Sequence, residues 1–189
     1  MYIRRLILVR LIQVKDKHFD VYINEAQMQE SIRQMGLALE KDYTGKCPVF
    51  IGVLNGCFMF FSDLLKSFSP ECEVAFIKAA SYEGMKSTGN VKFHEAGKLD
   101  LEGRDIILIE DIIDTGNTLK ALYEHFDSRG VNSIKICTLL FKKEAYKLNL
   151  PIDYVCFEVE NKFLLGYGLD YDGIGRNLPE IYILNENHD

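Results

Sequence analysis

The chain has 189 residues, 48% hydrophobic and 26% charged, enough for one domain with its own core. Its 28 acids against 22 Lys and Arg leave a formal net charge of −6, which argues against a broad nucleic-acid-binding face. A small anionic substrate stays compatible with that balance, because local loops can be positive on an acidic protein.

In chain order, Met1 to Val14 is apolar but broken by Arg4, Arg5 and Arg10. Its longest uncharged run, Leu6 to Val9, is too short for a signal h-region or a membrane span. The segment reads as an extra strand or a frayed arm. Met28, Ile32, Met35 and Leu39 then recur at alternating spacings of four and three, predicting a helix over 25–41 with Asn24 as its N-cap. Pro48 to Leu54 is a short apolar strand, and Asn55-Gly56 a turn. Phe58, Phe61, Leu65 and Phe68 form a second helical stripe, and Val74 to Ala79 another strand.

Ser81 to Val91 is polar, holds two glycines and reads as a mobile loop. Ile106 to Ile113 is a strand too apolar for one solvated face. Leu119, Leu122 and Phe126 predict a helix, with Gly130 as its C-cap candidate. Ser133 to Leu140 and Tyr154 to Val159 are further strands. Alternating strands and helices, with continuously apolar strands, predict a single α/β domain over 1–189 built on a mainly parallel sheet covered on both faces. Ligands of such sheets bind beyond the carboxyl ends of the strands. That rule selects Leu54 to Cys57, Ser81 to Asn90, Glu110 to Thr118 and the stretch from Lys142.

Cys47, Cys57, Cys72, Cys137 and Cys156 show no zinc-like spacing and are odd in number, as expected for free thiols in a reducing cytoplasm. His18, His94, His125 and His188 form no spaced cluster and read as structural or surface residues.

The densest chemistry lies in one of the selected loops. Thr115-Gly116-Asn117-Thr118 joins a buried strand to a helix, where successive N–H groups and the helix N-terminus suit a phosphate. Taken alone, it reads as an ordinary capped turn. The acids before it change that reading. Glu110 and Asp111 crowd like charges at the end of an apolar strand, a cost that a cation or hydroxyl donors would offset. A ribose diol with Mg²⁺ supplies both. Asp114, beside the cradle, is placed to accept a proton or stabilise a cationic sugar carbon. Asp114-Thr115-Gly116 also matches the aspartic-protease triplet. Those enzymes need two facing aspartates on β-rich halves, whereas here a helix follows. No Walker A pattern or spaced triple-glycine fingerprint occurs.

Residues 106 to 119 resemble the signature of the type I phosphoribosyltransferases. Glu-Asp-Ile-Ile-Asp-Thr-Gly-Asn-Thr-Leu is similar to the 6-oxopurine branch, the hypoxanthine and hypoxanthine-guanine enzymes, and the similarity runs from about residue 19 to 185. The resemblance implies a type I phosphoribosyltransferase fold, with a small hood built from the terminal segments. It implies purine salvage: Mg²⁺-dependent transfer of 5-phosphoribosyl from phosphoribosyl pyrophosphate to hypoxanthine and/or guanine, giving IMP or GMP and pyrophosphate. It also implies a homodimer or homotetramer in the cytoplasm, with no nucleic-acid or membrane partner.

By the same resemblance, Glu110 and Asp111 hold the ribose hydroxyls and the Mg²⁺ shell, to which Asp170 also belongs. Asp114 is the general base or acid at purine N7, and Asp114 to Thr118 cradle the 5′-phosphate. Ile112 packs near the base, Lys142 contacts the purine 6-oxygen, Phe163 stacks on the ring and Leu164 offers backbone to its edge. Arg176 and the Leu54-Asn55-Gly56-Cys57 turn take the pyrophosphate, the turn often through a non-proline cis peptide. Ser81-Tyr82 is the start of the flexible lid that closes over the reacting centre. This chain departs from the pattern at Asn55, where Lys or Arg is common, and at Cys57, where Ser or Gly is. Without a charge at Asn55, the loop's backbone N–H groups are left to hold the anion. Cys57 reads either as a sensitive thiol or, the favoured reading, as an inert small residue.

Two other readings stay open. A regulator on the same fold would show a basic face or an added DNA-binding segment. A phosphoribosyltransferase for another base, such as xanthine or a pyrimidine, differs in the residues around Lys142 and Phe163.

Overall fold

The computed structural model describes residues 11–80, 92–95 and 100–186. Two sheets organise them. The larger has six strands in the order β5-β4-β3-β6-β7-β8: β5 (Lys92–Glu95), β4 (Glu73–Ala80), β3 (Val49–Leu54), β6 (Asp105–Ile113), β7 (Ser133–Phe141) and β8 (Tyr154–Glu158). All pairings are parallel except β4 with β5 at the edge.

The parallel core follows from its strands. In β6, Ile107 and Ile109 face one apolar cluster while Ile106 and Leu108 face the other, so both faces demand cover. Helices α1 (Glu25–Tyr43) and α2 (Phe58–Lys66) cover the first face, and α3 (Asn117–Asp127) covers the second. The α1 stripe Met28, Ile32, Met35 and Leu39 is buried as its spacing requires. Asn24 and Gln27 close a reciprocal capping box at its start.

The chain runs from β3 outward to β4, then returns to lay β6 on the other side of β3. That reversal opens a crevice at the carboxyl ends of β3 and β6. Register between the two holds from Val49↔Ile106 to Gly52↔Ile109, so Leu54 and the Glu110–Ile113 end lie beyond the last pair.

The smaller sheet is antiparallel, in the order β1-β2-β10-β9: β1 (Leu11–Val14), β2 (Lys17–Ile23), β10 (Ile181–Leu184) and β9 (Leu164–Leu165). Phe19, Leu165 and Tyr182 form its core. It is the expected hood, made from both terminal parts of the chain. Of the 1–17 segment, residues 11–14 form the extra strand; 1–10 lie outside the described residues.

The C-cap of α3 is Ser128 and not Gly130; Gly130 lies two residues on, with φ 68°. Its carbonyl accepts from Gly103 N–H at 2.8 Å, so the glycine closes a turn against the strand-β6 approach and not the helix itself. All five cysteines are free thiols. No described helix is long and apolar enough to cross a membrane.

Candidate active site

The carboxyl end of β6 runs directly into a cavity of about 110 Å³ lined by Glu110, Ile112, Asp114 and the turn Thr115–Leu119. Gly116 is the N-cap of α3, with φ 89° and ψ 0°, and no side chain caps the helix. No acidic residue occupies the first turn. A Thr or Asn side-chain cap is not what starts this helix: Gly116 holds the N-cap position, and the first N–H groups take no cap from it. Two further features of the structure require glycine at 116. Its φ is left-handed, and a Cβ there would lie 2.7 Å from the Tyr146 ring and 2.8 Å from Leu148. The segment after β7 thus packs behind the cradle, and Lys142 N–H ties it to Ile113 O at 2.9 Å.

The three acids sit in three environments. Glu110 is buried, and burial, then the charge of Asp111, pushes its carboxyl well above the usual range. Burial also raises Asp111, to about 6, against the backbone N–H groups of Ile112 and Asp111 and the charge of Arg176, all of which favour its anion. Asp114 instead is half-exposed, and its Oδ2 accepts from Lys142 Nζ at 3.1 Å. Lys142 is not a solvated lysine: its side chain is 11% exposed.

Across the crevice lies the turn after β3. Leu54-Asn55 is a cis peptide. Asn55 brings no cation, but α2 starts three residues on with no side-chain cap and no acid in its first turn. Backbone donors and a positive helix end are therefore what this loop offers an anion. Cys57 is fully buried, and burial followed by Asp111 and Glu110 drives its thiol pKa up, which makes it an inert packing residue. Gly56 lies so close to Asp111 that a Cβ would sit 1.5 Å from Oδ2.

Arg176 Nη2 pairs with Asp170 Oδ1 at 2.5 Å, while its Nη1 donates to Gly168 O at 2.7 Å. Asp170 Oδ2 also accepts from Gly173 N–H. Phe163 is 43% exposed and backed by Phe19 at 6.2 Å and Tyr171 at 5.8 Å between ring centroids. Leu164 is buried in β9, and Ile112 is partly buried at the cavity wall. Ser81 and Tyr82 lie outside the described residues.

Glu110, Asp111 and Asp170 do not close into a metal-ligand set: no group of three His, Cys, Asp or Glu side chains among the described residues could hold an ion. Two adjacent carboxyls beside Asp170, one buried and one partly buried, fit a cation that takes only part of its ligands from protein and the rest from a bound substrate. The site also contains residues that sequence spacing did not single out. Phe19 and Tyr171 back the exposed ring, and Tyr146 and Leu148 back the cradle. The run Gly166-Tyr167-Gly168-Leu169-Asp170-Tyr171, with one tyrosine between glycines and a second after Asp170, is a local signal for part of this shell.

A family model of the phosphoribosyl transferase domain matches residues 20–172. The hypoxanthine-guanine phosphoribosyltransferase of Aquifex aeolicus is 35% identical over 176 residues, covering 92% of this chain and 99% of that protein. That of Streptococcus mutans is 41% identical over 168 residues, 88% of this chain and 93% of that protein. A crystal structure of a Staphylococcus aureus hypoxanthine phosphoribosyltransferase is similar with a TM-score of 0.82 at 39% identity, over 88% of this chain and 91% of that one. The parallel sheet with its uncapped cradle, the terminal hood and these similarities lead to one conclusion: the chain belongs to the phosphoribosyl transferase family, among the hypoxanthine-guanine phosphoribosyltransferases.

Proposed function

We propose that the protein transfers a 5-phosphoribosyl group from phosphoribosyl pyrophosphate to N9 of hypoxanthine or guanine, as a cytoplasmic salvage enzyme working as a homodimer or homotetramer. The observation that carries this reading is the pairing of an uncapped anion cradle at Thr115–Thr118 with two adjacent carboxyls before it, Glu110 buried and Asp111 partly buried, both raised in pKa by desolvation.

In this reading the first N–H groups of α3, with the Thr115 and Thr118 hydroxyls, bind the 5′-phosphate. Glu110 and Asp111 accept from the ribose hydroxyls, whose donors offset the cost of desolvating two acids. As the bond to pyrophosphate loosens, positive charge on the sugar ring is stabilised by these carboxylates. Asp114 handles the proton at purine N7. Lys142, paired with Asp114 here, turns its ammonium to the 6-oxygen, which an adenine amino group would meet with donor against donor. Phe163 stacks on the base from the hood, Leu164 offers its backbone to the base edge, and Ile112 closes the pocket wall. Arg176 and the Leu54–Gly56 turn hold the leaving pyrophosphate. Ser81 and Tyr82 shield the reacting centre from water. Mg²⁺, held by Asp170 and the Glu110–Asp111 pair together with substrate oxygens, would neutralise the leaving group.

The test is nucleotide formation by purified protein with the sugar donor, Mg²⁺ and each of hypoxanthine, guanine, xanthine and adenine. Turnover with the 6-oxopurines and little with adenine is expected. Lys142→Ala should lose most of that preference, and adenine as the best base for the parent protein would sink the reading.

A further inference from the structure

We propose that Tyr167 and Asp63 are a positioning pair that sets the pyrophosphate loop against the sugar-side carboxylates. This rests on the phosphoribosyl-transfer reading for its consequence, though not for its geometry.

Gly166, Tyr167 and Gly168 have φ values of 97°, 47° and 104°. Three successive left-handed residues make a backbone turn that only glycine tolerates freely. Tyr167 adopts it nonetheless. Its ring is 2% exposed, and its hydroxyl donates to Asp63 Oδ2 at 2.5 Å. Asp63 lies on α2, and the same carboxylate accepts from Gln29 Nε2 of α1 at 2.8 Å and pairs with Lys66 Nζ at 2.8 Å. Burial opposes the Asp63 charge, but the bonds from Lys66, Tyr167 and Gln29 keep its carboxyl below the usual range. A buried tyrosine hydroxyl thus finds an ionised acceptor already held by two other donors.

The other side of the turn reaches the site. A Cβ on Gly168 would lie 2.0 Å from Gly56 O, and one on Gly56 would lie 1.5 Å from Asp111 Oδ2. Turn, pyrophosphate loop and carboxylate are stacked with no room for a methyl group at either contact. Gly168 N–H also donates to Arg176 O at 2.9 Å, and Gly168 O accepts from Arg176 Nη1 at 2.7 Å. One residue, Gly168, therefore touches the loop and orients the arginine. Asp63 sits on the helix that this loop leads into, so the Tyr167–Asp63 bond ties both walls of the pyrophosphate site together. Neither residue reaches the reacting atoms; both act through Gly168.

Isothermal titration of Mg²⁺-pyrophosphate into parent, Tyr167→Phe and Asp63→Asn protein tests the pair, with thermal midpoints and both KM values alongside. Tyr167→Phe should weaken pyrophosphate about five- to tenfold, the scale of one hydrogen bond to a charged group. The donor KM should rise with it, and the base KM should stay within about twofold of the parent (the scatter expected of an uninvolved site). Asp63→Asn keeps an acceptor for Tyr167 and Gln29 but loses the charge, and should bind pyrophosphate with an affinity between the parent and Tyr167→Phe; Asp63→Leu, which removes the acceptor, should behave like Tyr167→Phe. A merely structural role predicts a lower midpoint with unchanged pyrophosphate affinity, and that result overturns the proposal. So does a parallel rise of the base KM. A parent that binds pyrophosphate but makes no nucleotide would instead overturn the functional reading and leave the positioning result standing on the titration.

Discussion

Asp114 differs from its two acidic neighbours in what surrounds it. Glu110 is buried and Asp111 partly buried, and desolvation pushes both up in pKa, whereas Asp114 is half-exposed and held by Lys142 at 3.1 Å. One run of sequence thus places carboxyls in environments suited to different work: two to answer hydroxyls or a cation, one to exchange a proton. Asparagine at 114 keeps the size and one acceptor but cannot take the N7 proton. Asp114→Asn should lower kcat by about 10²-fold or more, the usual contribution of a positioned acid or base. The donor KM should change by less than about threefold, because binding rests on the cradle and not on this carboxyl. Steady-state kinetics in both substrates decides it. A kcat within about threefold of the parent would remove Asp114 from the proton-transfer role.

At the scale of elements, legibility follows the distance over which a signal acts. β3, β6, β7 and α1 were legible because both their cover and their period are written locally, as runs such as Ile106–Ile109 and the Met28–Leu39 stripe. The cradle was legible for the same reason, since Glu110 to Thr118 lie together in the chain. β9 and β10 were not: β9 is two residues long, and its pairing depends on β10, some way down the chain. Pairing of β10 with β2 joins opposite ends of the molecule, and no local pattern encodes it. The supporting shell shares that fate. Tyr167 meets Asp63 across 104 residues, and Tyr146 meets Gly116 only after β7 has been laid down. Gly116→Ala probes that shell. Left-handed φ alone costs about 1 kcal/mol, and the clash with Tyr146 at 2.7 Å should bring the loss to ~2 kcal/mol. Gly103→Ala is the matched control, with φ 70° and nothing within 4 Å of its Cβ. Urea denaturation should rank Gly116→Ala below Gly103→Ala; equal losses would show that Tyr146 and Leu148 do not support the cradle.

For the molecule as a whole, the site is a standing cost to the fold. Asp111 has an ordinary pKa of 3.8 and is raised to about 6 in the folded chain, first by burial. Below pH 3.8 the group is protonated folded and unfolded, and nothing is lost. Between 3.8 and about 6 the folded chain binds more protons than the unfolded one, so stability falls as pH rises, and the full penalty applies above that window. Glu110, also raised, acts in the same direction. The penalty from Asp111 applies in full at neutral pH, against a stability margin that is small for any domain. Asp111→Asn removes the charge while keeping the shape against Gly56. The variant should gain ~1–2 kcal/mol at pH 7.5 and show a flatter loss of stability from pH 4 to 6, while its affinity for the sugar donor falls. Urea titrations of ligand-free parent and variant across that range measure both. A variant less stable than the parent at pH 7.5 would mean that the Asp111 anion is already satisfied by the backbone N–H groups and Arg176 around it. A gain in stability with a loss of donor affinity would locate part of the marginal stability of this fold in the pair that serves the ribose.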